Sequence, residues 1–297
     1  MSDLDFSKTT PGPVAAAPEV ARPAASPVYN AAVAMEFFRG AGKGETVPAG
    51  GVLFAKDDKT SGLFSKNDKM YLLLEGEVAI SVGDRVLGSV KVGEIFGEMA
   101  TLTHLPRSAT ATARTNCRVM SIDGKQFEAG LQAKPEFALM LMAIMILRIR
   151  QTATALQRGK AIEDKGEAKP SSVFDKKLMA GLRTLLRDRE PVRYGAGQPI
   201  MKRGDTGAFM YIVGAGVVAI ALGGKVVDRV GAGGTFGEMA LVDQSPRSAD
   251  AAAESDCELL SLNRSDFLAL VKSSPAFGMS MLKAQADRLT FMTSQYR

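Results

Sequence analysis

The feature that most constrains this chain of 297 residues is a segment that it contains twice. The first copy begins at Gly93 and reads GEIFGEMATLTHLPRSAT, and the second begins at Gly233 and reads GGTFGEMALVDQSPRSAD. Equivalent residues such as Gly97 and Gly237 are separated by 140 positions (237 − 97) throughout the segment. A match of this length without a gap predicts two copies of one domain.

Each copy contains several groups that can bind a phosphate. It also contains a carboxylate, which a phosphate would repel. If residues 97–100 begin a helical turn, their backbone N–H groups point outward and favour an anion. The planar guanidinium of Arg107 matches phosphate oxygens, and Ser108 adds a hydroxyl on the same side. Glu98 would repel a phosphate, so we expect it to face a neutral hydroxyl of the same ligand. A ribose cyclic phosphate is one ligand that carries both groups.

The pattern Phe-Gly-Glu-Met-Ala followed by Pro-Arg-Ser-Ala resembles the phosphate-binding cassette of cyclic nucleotide-binding domains. These domains occur in the catabolite activator protein, protein kinase A regulatory subunits and cyclic-nucleotide-gated channels. The resemblance implies that the glutamate binds the ribose 2′-hydroxyl and that the arginine binds the cyclic phosphate. The cassette residues expected at the ligand are Phe96, Gly97, Glu98, Met99, Ala100, Arg107, Ser108 and Ala109, with Phe236, Gly237, Glu238, Met239, Ala240, Arg247, Ser248 and Ala249. The alternative is a structural ion pair between the glutamate and the arginine of each copy in a plain jelly-roll barrel.

The resemblance also implies a fold class that is mainly β with α. We expect two double-stranded β-helix (jelly-roll) barrels, each flanked by N-terminal and C-terminal lid helices. Residues 1–27 are rich in Pro, Ala and Ser and predict a disordered tail. The first domain is expected at 28–158, a charged linker at 159–171, and the second domain at 172–297.

The strands predicted before each cassette differ in spacing between the two copies. Residues 70–80 and 210–220 predict strand pairs that turn at Gly76 and Gly216, at an offset of 140. The predicted turn-and-strand segments before them, around Ala49 and Ala196, are offset by 147 (196 − 49). The first copy therefore contains seven extra residues within 56–69. A surface loop is the simpler interpretation, and a contact between lobes or with a partner is the alternative.

A helix after each cassette carries an arginine at a matched position. Arg148 and Arg288 each lie 41 residues beyond the cassette arginine (148 − 107 and 288 − 247). The resemblance to a bacterial cyclic-nucleotide-gated potassium channel implies that these arginines contact the adenine base, on which a guanidinium can stack. The alternative is a solvated or salt-bridged arginine on the helix surface.

The first of these helices contains a run, residues 137–147, that is apolar on every face. The run is too short to cross a bilayer, which needs about 20 such residues, so no membrane span is predicted. A helix of this kind must be covered on all sides. One barrel covers only part of it, so we expect the second lobe or another subunit, in a homodimer through the lid helices, to cover the rest.

Composition excludes several functional classes. The net charge of +5 is mild and does not indicate a nucleic-acid partner. Cys117 and Cys257 are equivalent (257 − 117 = 140), which predicts a shared core position without a disulfide and favours a reducing cytoplasm. The chain has one histidine, which argues against a histidine-based metal site such as that of a cupin-like oxygenase.

These observations together predict a sensor that is not an enzyme and that binds two cyclic nucleotides. We expect ligand binding to change the pose of the helices and to signal to an unidentified downstream protein or within an oligomer. The resemblance implies cAMP as the preferred ligand, because Ser108 and Ser248 stand where cGMP domains of kinases usually have threonine; cGMP stays open. The alternative is a DNA-binding regulator of the catabolite activator type, although only 22 residues follow Pro275 (297 − 275), too few for a helix-turn-helix after the lid.

Overall fold

The computed structural model describes residues 28–59, 68–158, 171–187 and 189–294. The predicted tail, linker residues 159–170 and residues 60–67 of the expected insertion lie outside the described residues.

The described elements form two matched series of strands and helices. The first series comprises α1 (Ala31–Ala41), β1 (Lys43–Val47), β2 (Val52–Phe54), β3 (Lys69–Glu75), β4 (Val78–Val82), β5 (Arg85–Val90), β6 (Ile95–Phe96), α2 (Glu98–Thr103), β7 (Thr110–Ala113), β8 (Cys117–Asp123), α3 (Gly124–Ala133) and α4 (Pro135–Arg158). The second comprises α5 (Lys176–Leu185), β9 (Val192–Tyr194), β10 (Pro199–Met201), β11 (Phe209–Ala215), β12 (Val218–Leu222), β13 (Lys225–Val230), β14 (Thr235–Phe236), α6 (Glu238–Asp243), β15 (Asp250–Ala253), β16 (Cys257–Asn263), α7 (Arg264–Ser273) and α8 (Pro275–Ser294).

Each lobe contains two antiparallel sheets of four strands. In the first lobe the strand orders are β1-β8-β3-β6 and β2-β7-β4-β5, and in the second they are β9-β16-β11-β14 and β10-β15-β12-β13. Apolar side chains from both sheets of a lobe form one core, as Leu73 and Val119 do with Val78 and Val90. The fold class predicted from the sequence, jelly-roll barrels flanked by helices, is confirmed.

The positions of the strands account for the difference in spacing between the lobes. Strands β2 and β10 are offset by 147 positions (199 − 52), whereas β3 and β11 are offset by 140 (209 − 69). The seven extra residues therefore lie between β2 and β3, as predicted. The next turn requires glycine, because Gly76 has φ 91° and a Cβ there would lie 2.6 Å from the carbonyl oxygen of Asn116.

Aromatic packing fixes the helices of the first lobe. Asn30 caps α1 by accepting hydrogen bonds from the backbone N–H groups of Ala32 and Val33. The ring of Phe37 in α1 then stacks on Phe137 of α4, with 4.0 Å between ring centroids. As a result, α1, α3 and α4 form one helical unit beside the barrel.

The two lid helices, α4 and α8, pack along each other between the lobes. Each also reaches the cassette helix of the opposite lobe: α4 contacts α6, and α8 contacts α2. A buried cluster at the crossing contains Ile146, Ile149, Met239 and Leu289. The second lobe therefore covers the apolar helix of the first, which is one of the two arrangements expected from the sequence.

Helix α4 is longer than the apolar run 137–147 alone suggests. Its segment Pro135–Thr154 has 20 residues and a mean hydropathy of 1.4, which by length and composition is enough to cross a membrane. However, 61% of the window is buried inside the protein, and core helices of globular proteins show the same property. We therefore describe α4 as a core helix. Cys117 and Cys257 are both free and buried, as predicted.

Candidate functional site

The helix of each cassette is preceded by a glycine in the left-handed region of backbone conformation. Gly97 has φ 78° and Gly237 has φ 81°, and each precedes a helix of six residues, α2 or α6. A Cβ at position 97 would lie 3.0 Å from Nη1 of Arg107 and 3.1 Å from the ring of Phe54. Glycine is therefore required both by the backbone angle and by the close approach of the cassette arginine.

Arg107 lies beneath the cassette and is 2% exposed. Its Nη1 donates to the carbonyl oxygen of Gly97 at 2.7 Å, and its Nη2 donates to that of Lys69 at 2.5 Å. Its guanidinium carbon lies 4.3 Å from the ring centroid of Phe54. Burial lowers the pKa of Arg107, although nearby groups including Glu98 oppose the shift. The first cassette thus holds a desolvated cation next to its glutamate.

Arg247 has the same environment in the second lobe. Its Nη1 donates to the carbonyl oxygen of Gly237 at 2.8 Å, and its Nη2 donates to that of Phe209 at 2.5 Å. Phe209 is equivalent to Lys69 (209 − 69 = 140). Burial again lowers the pKa of the arginine. The arrangement is therefore a property of the repeat.

Each cassette glutamate binds the lid arginine of its own lobe. Oε1 of Glu98, which is 5% exposed, lies 3.4 Å from Nη1 of Arg148 in α4. Oε1 of Glu238 lies 2.8 Å from Nη1 of Arg288 in α8. Burial opposes the charge of Arg288, but Glu238 and Asp228 outweigh it and raise the pKa of the guanidinium. Each lid arginine thus forms an ion pair, as in the salt-bridged alternative, and its partner is a buried cassette carboxylate that the sequence did not identify.

Several buried polar atoms at these contacts have no hydrogen-bond partner among the described residues. They are Nε and Nη2 of Arg148 in the first site and Oε2 of Glu238 in the second. An unpaired buried polar atom is unfavourable, so such atoms point to a ligand that supplies the missing partners. The free oxygen of Glu238 is an acceptor of the kind that a sugar hydroxyl satisfies.

The remaining predicted residues lie around these groups. Ser108 is exposed, whereas Oγ of Ser248 lies 3.5 Å from Sδ of Met239. Met99 and Ala109 are half-buried. The buried members of the predicted set are Phe96, Ala100, Phe236, Met239, Ala240 and Ala249.

Two residues that contact Arg107 were not predicted from the sequence. Phe54 comes from a strand 53 residues before Arg107 (107 − 54), and Lys69 contributes only its carbonyl oxygen. A backbone carbonyl has no sequence signal, but Phe54 belongs to an apolar strand unit and was an available candidate. Within the described ranges, no group of three or more His, Cys, Asp and Glu side chains is arranged to hold a metal ion.

Comparison with known proteins gives two matches to one family. The sequence profile of the cyclic nucleotide-binding domain matches residues 45–134 and 191–274. The chain is 41% identical over 101 residues to the cyclic AMP receptor protein of Thermus thermophilus, a match that covers 32% of this chain and 47% of that protein. It is 27% identical over 207 residues to a cAMP-dependent protein kinase regulatory subunit of Eremothecium gossypii, covering 69% and 40%. The chain thus spans about half or less of the length of these relatives.

Among solved structures, the catabolite activator protein of Thermus thermophilus shares 35% identity at a TM-score of 0.36, covering 41% of this chain and 59% of that one. The regulatory domain of Toxoplasma gondii protein kinase A, crystallised with cAMP, shares 24% identity at a TM-score of 0.29, covering 78% and 83%. The two profile matches together take in more than half of the sequence. The chain therefore belongs to the cyclic nucleotide-binding domain family, with one matched unit in each lobe.

Proposed function

We propose that this chain is a two-site sensor of cyclic nucleotides, with cAMP as its preferred ligand and no enzymatic activity of its own. The observation that carries the proposal is duplicated: a buried arginine, Arg107 or Arg247, bonds to the glycine that precedes a cassette helix, and the first residue of that helix is a buried glutamate. The proposed functional units are residues 28–158 and 172–297. In each unit the arginine binds the cyclic phosphate and the glutamate accepts a hydrogen bond from the ribose.

The contacts of the arginines support this assignment. Arg107 and Arg247 each donate to two backbone carbonyls, which are neutral acceptors. A phosphate is a stronger acceptor for a guanidinium, because a charge-assisted bond is roughly twice as strong as a neutral one. Phosphate binding therefore replaces weaker bonds to Gly97 and Gly237. This exchange alters the hydrogen bonds by which the arginine connects the cassette to the adjacent strand, β3 or β11.

The preference for cAMP rests on the cassettes and on the relatives. Both cassettes place serine after the arginine, as bacterial cAMP sites do. The relative with 41% identity is a cyclic AMP receptor protein, while a cGMP-dependent protein kinase of Toxoplasma gondii is 25% identical over 233 residues. We also propose that the signal passes to a downstream protein in the cytoplasm, in line with the reduced thiols of Cys117 and Cys257.

The test of this proposal is isothermal titration calorimetry of the full chain with cAMP and with cGMP. We expect two binding events per chain with cAMP and weaker binding of cGMP. Cytidine 5′-monophosphate, which has an open phosphate, serves as the control ligand. The absence of heat with both cyclic nucleotides contradicts the proposed function.

The crossing of the lid helices gives the signal a path between the lobes. Arg150 of α4 binds Asp243 at the end of α6 through two bonds, Nε to Oδ2 at 2.6 Å and Nη2 to Oδ1 at 3.1 Å. Its Nη1 also donates to the carbonyl oxygen of Pro246, next to Arg247, at 3.0 Å. Motion of the second cassette therefore acts directly on the lid helix that carries Arg148.

This ion pair has no equivalent ion pair in the other half, because both matching residues are threonines. The equivalent positions are Thr290 and Thr103 (150 + 140 and 243 − 140). Their hydroxyls donate to carbonyls of their own helices, those of Ala286 and Met99. We infer that Arg150 and Asp243 carry the coupling between the two sites.

We expect Arg150→Gln to reduce the coupling free energy between the two binding events by about 1 kcal/mol, since coupling energies are typically 1–3 kcal/mol. The measurement is the ratio of first and second cAMP affinities in calorimetry. Lys283→Gln is the matched control, because it removes a cation of α8 from an exposed ion pair with Asp287. Unchanged coupling in Arg150→Gln, or an equal loss in the control, contradicts the inference.

A further inference from the structure

A cavity of about 190 Å³ opens beside the last turn of α6, the helix of the second cassette. Its other walls are the loop residues 206–208, residues 244 and 245 after α6, and Arg264 at the start of α7. Of the residues predicted to contact the nucleotide in this lobe, only Ala240 borders the cavity. A water molecule occupies about 30 Å³ of liquid, so the cavity can hold a small organic molecule next to the nucleotide site.

Arg264 gives this cavity a positive charge. Its Nη1 donates to the carbonyl oxygens of Leu241 and Val242, at the end of α6. Its Nε and Nη2 have no hydrogen-bond partner among the described residues, and every other residue that lines the cavity is neutral. The hydroxyls of Thr206 and Ser245 are further donors. A cation with unused donors among neutral groups favours an anionic ligand.

The first lobe has a carboxylate of its own at the matching place. Ala208 is equivalent to Asp68, and Arg264 is equivalent to Gly124 (208 − 140 and 264 − 140). Oδ2 of Asp68 lies 2.9 Å from the position that a Cβ on Gly124 would take. Burial raises the pKa of the Asp68 carboxyl, and nearby groups including Arg107 oppose the shift. The second lobe therefore has an alanine, an added arginine and an open cavity where the first lobe has an aspartate.

We propose that the cavity of the second lobe binds a small carboxylate from solution, which takes the place of the aspartate side chain of the first lobe. The planar guanidinium of Arg264 can donate from Nε and Nη2 to the two oxygens of a carboxylate. The apolar part of the ligand then packs on the side chains of Ala208 and Leu241, which line the same cavity.

The wall of the cavity is in contact with the cassette arginine. Gly207 lines the cavity, and a Cβ at this position would lie 2.8 Å from both Cζ and Nε of Arg247. Only the backbone of Gly207 therefore separates a bound carboxylate from the group that we propose to hold the cyclic phosphate. Asp68 lies equally close to the cassette arginine in sequence, 39 positions before Arg107 (107 − 68), as Ala208 lies 39 positions before Arg247 (247 − 208).

The test is saturation-transfer NMR of acetate with the full chain, without any cyclic nucleotide. Acetate reproduces the carboxylate end of an aspartate side chain, and acetamide has nearly the same shape without the charge. We expect saturable binding of acetate and none of acetamide. Ala208→Asp should abolish the binding, because it restores the tethered carboxylate of the first lobe. Arg264→Gln should weaken it at least about 10-fold, because it removes a hydrogen bond between charged groups.

Arg193→Gln is the matched control, because it removes a cation of the same lobe that pairs with Glu258 on β16. It should leave acetate binding unchanged, and circular dichroism establishes that each variant is folded. Unchanged acetate binding in either Ala208→Asp or Arg264→Gln, an equal loss in Arg193→Gln, or equal binding of acetamide overturns the inference. Because no cyclic nucleotide is present, each of these outcomes is independent of the proposed function.

Discussion

Replacing Arg247 by glutamine should abolish one of the two cyclic-nucleotide binding events and leave the other in place. Loss of one partner of a buried, charge-assisted contact costs about 2–5 kcal/mol, which is roughly a 30-fold to several-thousand-fold loss of affinity. The side chain is 7% exposed and bonded to two carbonyls, so glutamine retains one donor to hold the local backbone. Calorimetry of the full chain with cAMP measures the number of sites and both affinities.

Arg107→Gln should remove the other event, and the double variant should bind no cyclic nucleotide. Arg229→Gln is the control for loss of a charge in the second lobe, because Arg229 forms its ion pair with Glu254 on the barrel. Circular dichroism and the unfolding midpoint establish that the variants are folded. If both Arg107→Gln and Arg247→Gln bind cAMP as well as the unsubstituted chain does, the cassettes are not ligand sites.

Replacing Arg288 by methionine should destabilise the ligand-free protein by about 3 kcal/mol. The substitution leaves the carboxylate of Glu238, which is 2% exposed, without its partner at 2.8 Å. Breaking a buried ion pair by removing one partner typically costs about 3–5 kcal/mol, and the partial exposure of Arg288 places this case at the lower end. Chemical denaturation monitored by circular dichroism measures the change.

The double variant Arg288→Met with Glu238→Gln should recover most of the lost stability, since it removes the uncompensated charge. The nucleotide dependence of the same variants decides how the lid arginine acts. If Arg288 acts through Glu238, Arg288→Met weakens cAMP and cGMP binding by the same factor. A loss confined to one base shows instead that the guanidinium contacts the base, and full stability of Arg288→Met shows that the ion pair is unimportant.

The barrels and cassettes were predictable because their signals are local and duplicated. Gly97 and Gly237 mark the turns, the strands around Gly76 and Gly216 have matched patterns, and Pro275 begins a helix where the pattern breaks. The seven-residue difference was also evident from the change in offset. These features depend on backbone conformation and alternation, which a sequence reports directly.

The contacts of the lid helices were not predictable from the same signals. A helix that is apolar on every face must be covered, but its sequence pattern does not specify the neighbour that covers it. In this protein α8 of the other lobe covers α4. The bond between Arg150 and Asp243 joins residues 93 positions apart (243 − 150), and their equivalents in the repeat are threonines.

The one-sided bond between Arg150 and Asp243 has a consequence for how such a receptor diverges after duplication. Two identical subunits related by a twofold axis would contain this ion pair twice or not at all, because every interface residue occurs in both subunits. A single polypeptide that holds both halves escapes this restriction, so one half can specialise as the transmitter and the other as the receiver. Joining the two halves in one polypeptide thus allows an ion pair that a symmetric dimer cannot contain in a single copy.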